Sequence, residues 1–302
     1  MTSPPVGSPE PTAVSQLRAL LRQHGFRPRR SLGQTFLVDA NIVRKIVSAA
    51  DISPEDSVLE IGPGAGAVTR GLVAEAGRVV AVEIDPVLVA VLKETVGEAA
   101  EVICADVLTV ALGEVIGGEP PNGQARRLWK VVANLPYSIT GRAMVLLLGA
   151  RRWISGMVVM VQAEVAERLL APPGSRQRGW LSVFAEICCE AKLVGRVSRN
   201  CFWPRPKVDS AILGLAVRRP SLVSPEREAL LQEVVKGAFS TRRKTVVNAL
   251  SRAGKLGLPK ELVHSLLEQC GIRPELRAEA LSAEEFLRLT EAVEAAGEGR
   301  ER

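Results

Sequence analysis

From residue 57 to residue 218, short apolar runs alternate with amphipathic stretches, and that order leaves few folds open. A chain that reads strand, helix, strand, helix builds a mostly parallel sheet with crossover helices on its faces. Ser57 to Ile61 reads as the first strand, Arg78 to Glu83 as the second and Glu101 to Cys104 as the third. Trp129 to Ala133, Gly156 to Val161, Lys192 to Val197 and Ser210 to Val217 complete the set. Ala67 to Ala76, Pro86 to Val96 and Thr140 to Leu148 are the helices between them, and two earlier helices precede His24 and cover Ala40 to Ala50. The loop Gly117 to Gly123 breaks the chain without ending the alternation. Beyond Arg218-Arg219-Pro220-Ser221 no strand pattern appears. Pro225 to Phe239, Lys244 to Arg252, Pro259 to Gln269 and Ala283 to Ala295 all have helical spacing. The division expected is a tail over 1–14, an α/β domain over 15–218, a smaller all-helical domain over 219–296 and a charged tail over 297–302.

Open α/β sheets bind ligands beyond the carboxyl ends of their strands, so the residues there carry the chemistry. The first strand ends in Gly62-Pro63-Gly64-Ala65-Gly66, a turn that lets the backbone approach a ligand closely. Its spacing is G-x-G-x-G, whereas a dinucleotide turn is G-x-G-x-x-G, and this favours S-adenosylmethionine over NAD. Glu83 ends the second strand 21 positions after Gly62, placed to accept both ribose hydroxyls. Asp106 follows the third strand, where a carboxylate can accept from an adenine amino group. The fourth strand runs into Asn134-Leu135-Pro136-Tyr137, which holds the chain's single tyrosine. An accepting amide, a proline that fixes the turn and an aromatic face suit a site that grips a flipped base by its amino group.

The remaining composition narrows the function. Two histidines and five cysteines without zinc spacing point away from metal binding and histidine catalysis. The odd cysteine count reads as free thiols in a reducing cytoplasm. No apolar run approaches the roughly 20 residues of a membrane span, and the Pro/Ser-rich start has no signal-peptide core. A net charge of +6 favours a polyanionic partner. Basic groups occur at Arg27-Arg29-Arg30, Arg126-Arg127-Lys130, Arg151-Arg152, Arg176-Arg178, Arg205-Lys207 and Arg242-Arg243-Lys244. Some of them should track phosphates, Arg30 and Lys207 first, while Arg242 and Arg243 are open to a second reading as braces between domains.

From residue 26 to residue 290 the chain resembles the rRNA adenine N6-dimethyltransferases, most closely their bacterial small-subunit branch. Arg30 to Leu37 is similar to the family's G-Q-N-F-L segment. Gly62 to Gly66, Glu83-Ile84-Asp85 and Asp106 match its cofactor motifs, and Asn134 to Tyr137 matches its N-L-P-Y. Phe202 to Ser210 resembles F-x-P-x-P-K-V-D-S, and Ala238 to Thr245 with Arg277 to Glu279 resembles its C-terminal signatures. The resemblance implies a Rossmann-like class I S-adenosylmethionine-dependent methyltransferase sheet. It implies cofactor contacts at Thr35, Leu37, Gly62, Gly64, Glu83, Asp106 and Asn134. Base binding and catalysis would fall to Asn134, Leu135, Pro136, Tyr137 and Phe202, with Phe202 on the far side of the base from Tyr137. RNA contacts would fall to Arg30, Lys207, Arg242 and Arg243. Thr35 replaces the family's Asn, and its shorter hydroxyl reaches less far. Tyr137→Phe is expected to be mild, because stacking uses the ring.

The implied activity is dimethylation of N6 on two adjacent adenosines near the 3′ end of 16S rRNA, in a small-subunit assembly intermediate, by a cytoplasmic monomer. The alternatives are an Erm-type large-subunit rRNA methyltransferase and an assembly factor with secondary catalysis. Pro206 to Ser210 favours the small-subunit branch. Leu135, where DNA adenine methyltransferases usually carry proline, disfavours a DNA substrate.

Overall fold

The computed structural model describes residues 10–28, 34–117 and 127–298. Arg30, the first nine residues and most of the Gly117 to Gly123 loop lie outside them. The strands are β1 (Phe36–Leu37), β2 (Ser57–Ile61), β3 (Arg78–Glu83), β4 (Glu101–Cys104), β5 (Trp129–Asn134), β6 (Ile154–Gln162), β7 (Cys189–Val197), β8 (Phe202–Trp203) and β9 (Ser210–Val217).

Seven of them form one sheet in the order β4-β3-β2-β5-β6-β9-β7. β2 to β6 pair in parallel, and β9 runs antiparallel to β6, with Gln162 opposite Ser210. Strand order reverses beside β2, which lies between β3 and β5, so the loops after β2 and β5 leave in opposite directions and open a crevice between them. Continuous apolar sequence explains the inner strands. Val131, Val132 and Ala133 of β5 and Val79 to Val82 of β3 are all buried, as strands covered on both faces require.

Helices Ala40–Ala49, Ala67–Glu75 and Pro86–Val96 cover the sheet through Val43, Ile46, Leu72 and Leu92. Asp39 and Asp85 start two of them by accepting from free backbone N–H groups, Asp39 from Asn41 and Ile42 and Asp85 from Val87. The helix Val14–Gln23 packs Leu17, Leu20 and Leu21 against Phe36 of β1, Ala65 of the glycine turn and Leu88. Thus the N-terminal helix braces the turn after β2.

The chain divides into two compact units: residues up to Ala166 with Ala191–Val217, and Glu167–Glu190 with Arg218 onward. The second unit contains the helices Pro225–Ala238, Val246–Leu250, Lys260–Gln269 and Ala283–Glu298. It also takes the helix Trp180–Cys188, which buries Val183, Phe184 and Ile187 and packs beside Pro225–Ala238 and Ala283–Glu298. Among the described residues, no helix is long and apolar enough to cross a membrane.

Candidate active site

A cleft of about 1060 Å³, counting its open mouth, lies along the carboxyl ends of β2, β3, β4 and β5. Thr35, Gly62, Glu83, Asp106, Tyr137 and Phe202 all border it, as do Asn134, Leu135 and Pro136. A smaller cavity of about 490 Å³ adjoins the glycine turn and adds Leu37 and Glu60 to the wall. Gly62, Gly64, Thr35 and Asn134 border both spaces.

Ile61 of β2 lies opposite Ala133 of β5, so the glycine turn meets Asn134 where the two strands end. Gly62 has φ +70°, and a β-carbon there would stand 3.2 Å from the Asn134 carbonyl oxygen. Gly66 has φ +88° and would press a β-carbon to 2.9 Å from Leu92. The left-handed backbone at both positions disfavours a side chain, and Gly62, with Gly64, presents bare backbone to the cleft.

Glu83 ends β3, and backbone N–H groups hold both its oxygens: Gly64 donates at 3.1 Å and Asp85 at 3.0 Å. Burial raises its carboxyl above the usual range, against the pull of those donors. Each carboxylate oxygen keeps a further lone pair for a ligand hydroxyl. Asp106 accepts from the Leu108 N–H at 2.9 Å through one oxygen, and its other oxygen has no partner among the described residues. Glu60, to which the sequence assigned no task, is 3% exposed, with one carboxyl oxygen lacking a partner among the described residues. Burial pushes its carboxyl up to about 8, with the charge of Glu83 adding to the effect. The available clue was an acid within the otherwise apolar Val58-Leu59-Glu60-Ile61.

Asn134 is the last residue of β5, and its side-chain amide has no partner among the described residues. The chain beyond it is fixed by backbone: Leu135 N–H donates to Met160 and Ile139 N–H to Pro136, each at 3.1 Å. The Thr140 hydroxyl adds a third bond at 3.1 Å to the Pro136 carbonyl. Leu135 is buried, Tyr137 half-buried. The Tyr137 hydroxyl meets the Ser210 hydroxyl at 3.2 Å, a contact that the expected mildness of Tyr137→Phe did not include.

Phe202 sits in β8, which pairs with β1 through Leu37, and it is 5% exposed. It belongs to the core as well as to the cleft wall, so only part of its ring is presented. Its neighbour Trp203 stacks on Phe36 at 6.4 Å.

The basic residues divide into two groups. Lys207, Arg242 and Arg243 are exposed and pair with no carboxylate among the described residues. Others have partners within the fold. Lys130 pairs with Asp56 at 3.1 Å and Arg127 with Glu55 at 3.3 Å. Arg178 is 1% exposed and pairs with Glu186 at 2.6 Å. Arg151 is buried and donates to the Leu148 carbonyl, while Arg152 lies over the Trp153 ring.

The profile described as ribosomal RNA adenine dimethylase matches residues 25–295. The protein named ribosomal RNA small subunit methyltransferase A from Moorella thermoacetica is 45% identical over 279 residues, covering 91% of this chain and 96% of its own. Its namesake from Pelotomaculum thermopropionicum is 43% identical over 285 residues, covering 93% and 96%. Among solved structures, a dimethyladenosine transferase from Plasmodium falciparum matches with a TM-score of 0.71 at 27% identity, covering 86% of this chain and 97% of that one. The 23S rRNA methyltransferase ErmE matches with a TM-score of 0.63 at 29% identity, covering 86% and 99%.

Proposed function

The chain belongs to the ribosomal RNA adenine dimethylase family and is an S-adenosylmethionine-dependent rRNA adenine dimethyltransferase; from that premise we propose that its substrate is small-subunit rRNA. The target is N6 of two adjacent adenosines near the 3′ end of 16S rRNA, methylated in a small-subunit assembly intermediate by a cytoplasmic monomer. Relatives at 39–45% identity carry the small-subunit name, whereas the large-subunit enzyme ErmE is 29% identical.

The residues present fit the cofactor. Glu83 can accept ribose hydroxyls, the unpaired Asp106 oxygen can take an adenine amino hydrogen, and the bare turn at Gly62 and Gly64 admits close approach. Thr35, Leu37 and Glu60 line the cavity beside that turn. When bound, the cofactor supplies a methyl group activated by a positively charged sulfur.

What remains for the protein is placement of the nucleophile. The adenine amine is a poor nucleophile because its lone pair is shared with the ring. The Asn134 side-chain oxygen and the Leu135 carbonyl accept its two hydrogens, favouring a pyramidal nitrogen and stabilising the positive charge that develops there. Tyr137 offers a ring for the base to stack on, worth about 1–3 kcal/mol. Leu135 and Phe202 supply apolar wall that keeps water from the reacting atoms. Lys207, Arg242 and Arg243 are available for phosphates, with Arg30 as a further candidate.

The observation that carries the reading is the uncommitted Asn134 amide at the end of β5, where the glycine turn touches its backbone. The test offers labelled S-adenosylmethionine with undermethylated small subunits, large subunits and naked rRNA, and maps the label. N6-dimethyladenosine in small-subunit rRNA is expected. Label on the large subunit alone overturns the assignment.

A further inference from the structure

We propose that Ser210 is a positioning residue for methyl transfer, acting through the hydroxyl of Tyr137 to set the ring on which the target base rests. This rests on the base-holding role given to Tyr137 above.

The sheet topology makes the contact possible. β2 to β5 end at the cleft and β6 runs parallel to them, but β9 is reversed, so it begins at the end of the sheet where they finish. Ser210 is its first residue, opposite Gln162 at the end of β6. Tyr137 follows β5, on the other side of β6. The 3.2 Å bond between Tyr137 and Ser210 therefore ties the loop after β5 to β9 across the end of β6.

The tie defines the ring. One end of the tyrosine side chain is fixed by a backbone turn that three hydrogen bonds around Leu135, Pro136 and Ile139 hold in place. Ser210 fixes the other end, and with both ends held the ring axis cannot swing into or out of the cleft. A phenol hydroxyl also bonds best near the plane of its ring, so the partner biases which way the face turns. Ser210 is 1% exposed, and Tyr137 is the one side-chain partner of its hydroxyl among the described residues. It cannot reach bulk water instead, and so it is a fixed anchor. The segment before it is fixed as well: Arg199 N–H donates to Asp209 at 2.9 Å, and the Arg199 guanidinium to the Lys207 carbonyl at 3.1 Å.

The test is a double-mutant cycle on kcat/KM for RNA with Ser210→Ala, Tyr137→Phe and the pair. Each single change is expected to lower kcat/KM about 3- to 10-fold, the equivalent of one net hydrogen bond. The double variant should be no worse than the lower single, and the cofactor dissociation constant should stay at its wild-type value in all three. A merely structural role would weaken cofactor binding along with catalysis. Losses that multiply in the double variant, or a single variant with wild-type kcat/KM, overturn the proposal. A second readout needs no RNA. Tyr137 is the only tyrosine, so ring-labelled protein gives one 13Cζ resonance. That resonance should move in Ser210→Ala, and an unmoved one sinks the tether. Absence of methyl transfer by the wild-type protein on every rRNA substrate would refute the proposed function instead, leaving the resonance to decide the tether.

Discussion

Glu60 makes the protein's stability depend on pH in a direction opposite to that of a paired carboxylate. Its carboxyl titrates near 8 in the folded chain against an ordinary value of 4.5. A raised carboxyl favours the fold fully below the unfolded value, and that advantage is lost as pH rises through the folded value. The window is thus the interval from 4.5 to about 8. At about 1.4 kcal/mol per pH unit, the proton retained by the folded chain near pH 7 costs on the order of 3 kcal/mol relative to acid conditions. Glu60→Gln keeps the shape and removes the titration. The variant should match the wild type near pH 4.5 and exceed it by about 3 kcal/mol near neutrality, with the difference levelling above pH 8. Urea unfolding followed by tryptophan fluorescence measures this, because Trp129, Trp153 and Trp203 all lie in the unit that contains Glu60. A stability difference that is constant across the window would refute the reasoning, because only a titrating buried group gives it a slope.

Asn134→Ala should fold normally and lose far more in kcat than in cofactor affinity, kcat falling by about 10²–10³, the cost of one lost charge-stabilising contact; single-turnover methylation at the wild-type rate would remove Asn134 from the mechanism. Gly62→Ala should destabilise by about 1–2 kcal/mol from its left-handed backbone and should weaken cofactor binding further, because the added methyl meets the Asn134 carbonyl; calorimetry and unfolding together separate the two effects. RNA affinity should fall steeply with salt, and Lys207→Ala should lower the slope of log K against log salt by about 1. A slope that Lys207→Ala leaves unchanged would place that side chain away from the phosphates.

The strands and the residues at their ends were legible because topology fixes them. A parallel sheet covered on both faces needs apolar runs such as Val131-Val132-Ala133, and its ligands must come to the residues that end those runs. Gly62, Glu83, Asp106 and Asn134 could be read that way, and all of them border the cleft. The pairing of β1 with β8 could not, because two-residue strands separated by more than half the chain carry no periodicity of their own. Residues 167–190 also gave no signal. Pro172-Pro173-Gly174 reads as a break, and only packing reveals that Phe184 and Ile187 belong with the later helices.

Charge and hydroxyl chemistry were hidden for a related reason. Lys130, Arg127 and Arg178 count as basic in the sequence, yet each is paired with a carboxylate in the fold. Glu60 is buried although acids in strands usually mark a solvated face. Ser210 was one letter of a motif, and its partner was 73 positions away. A side chain that acts on a ligand from a strand end can be located by counting strands. One that acts through a second side chain depends on which loop crosses which edge, and here that follows from the reversal of β9. Had β9 run parallel to β6, Ser210 would sit at the opposite end of the strands and the Tyr137 hydroxyl would have no such anchor.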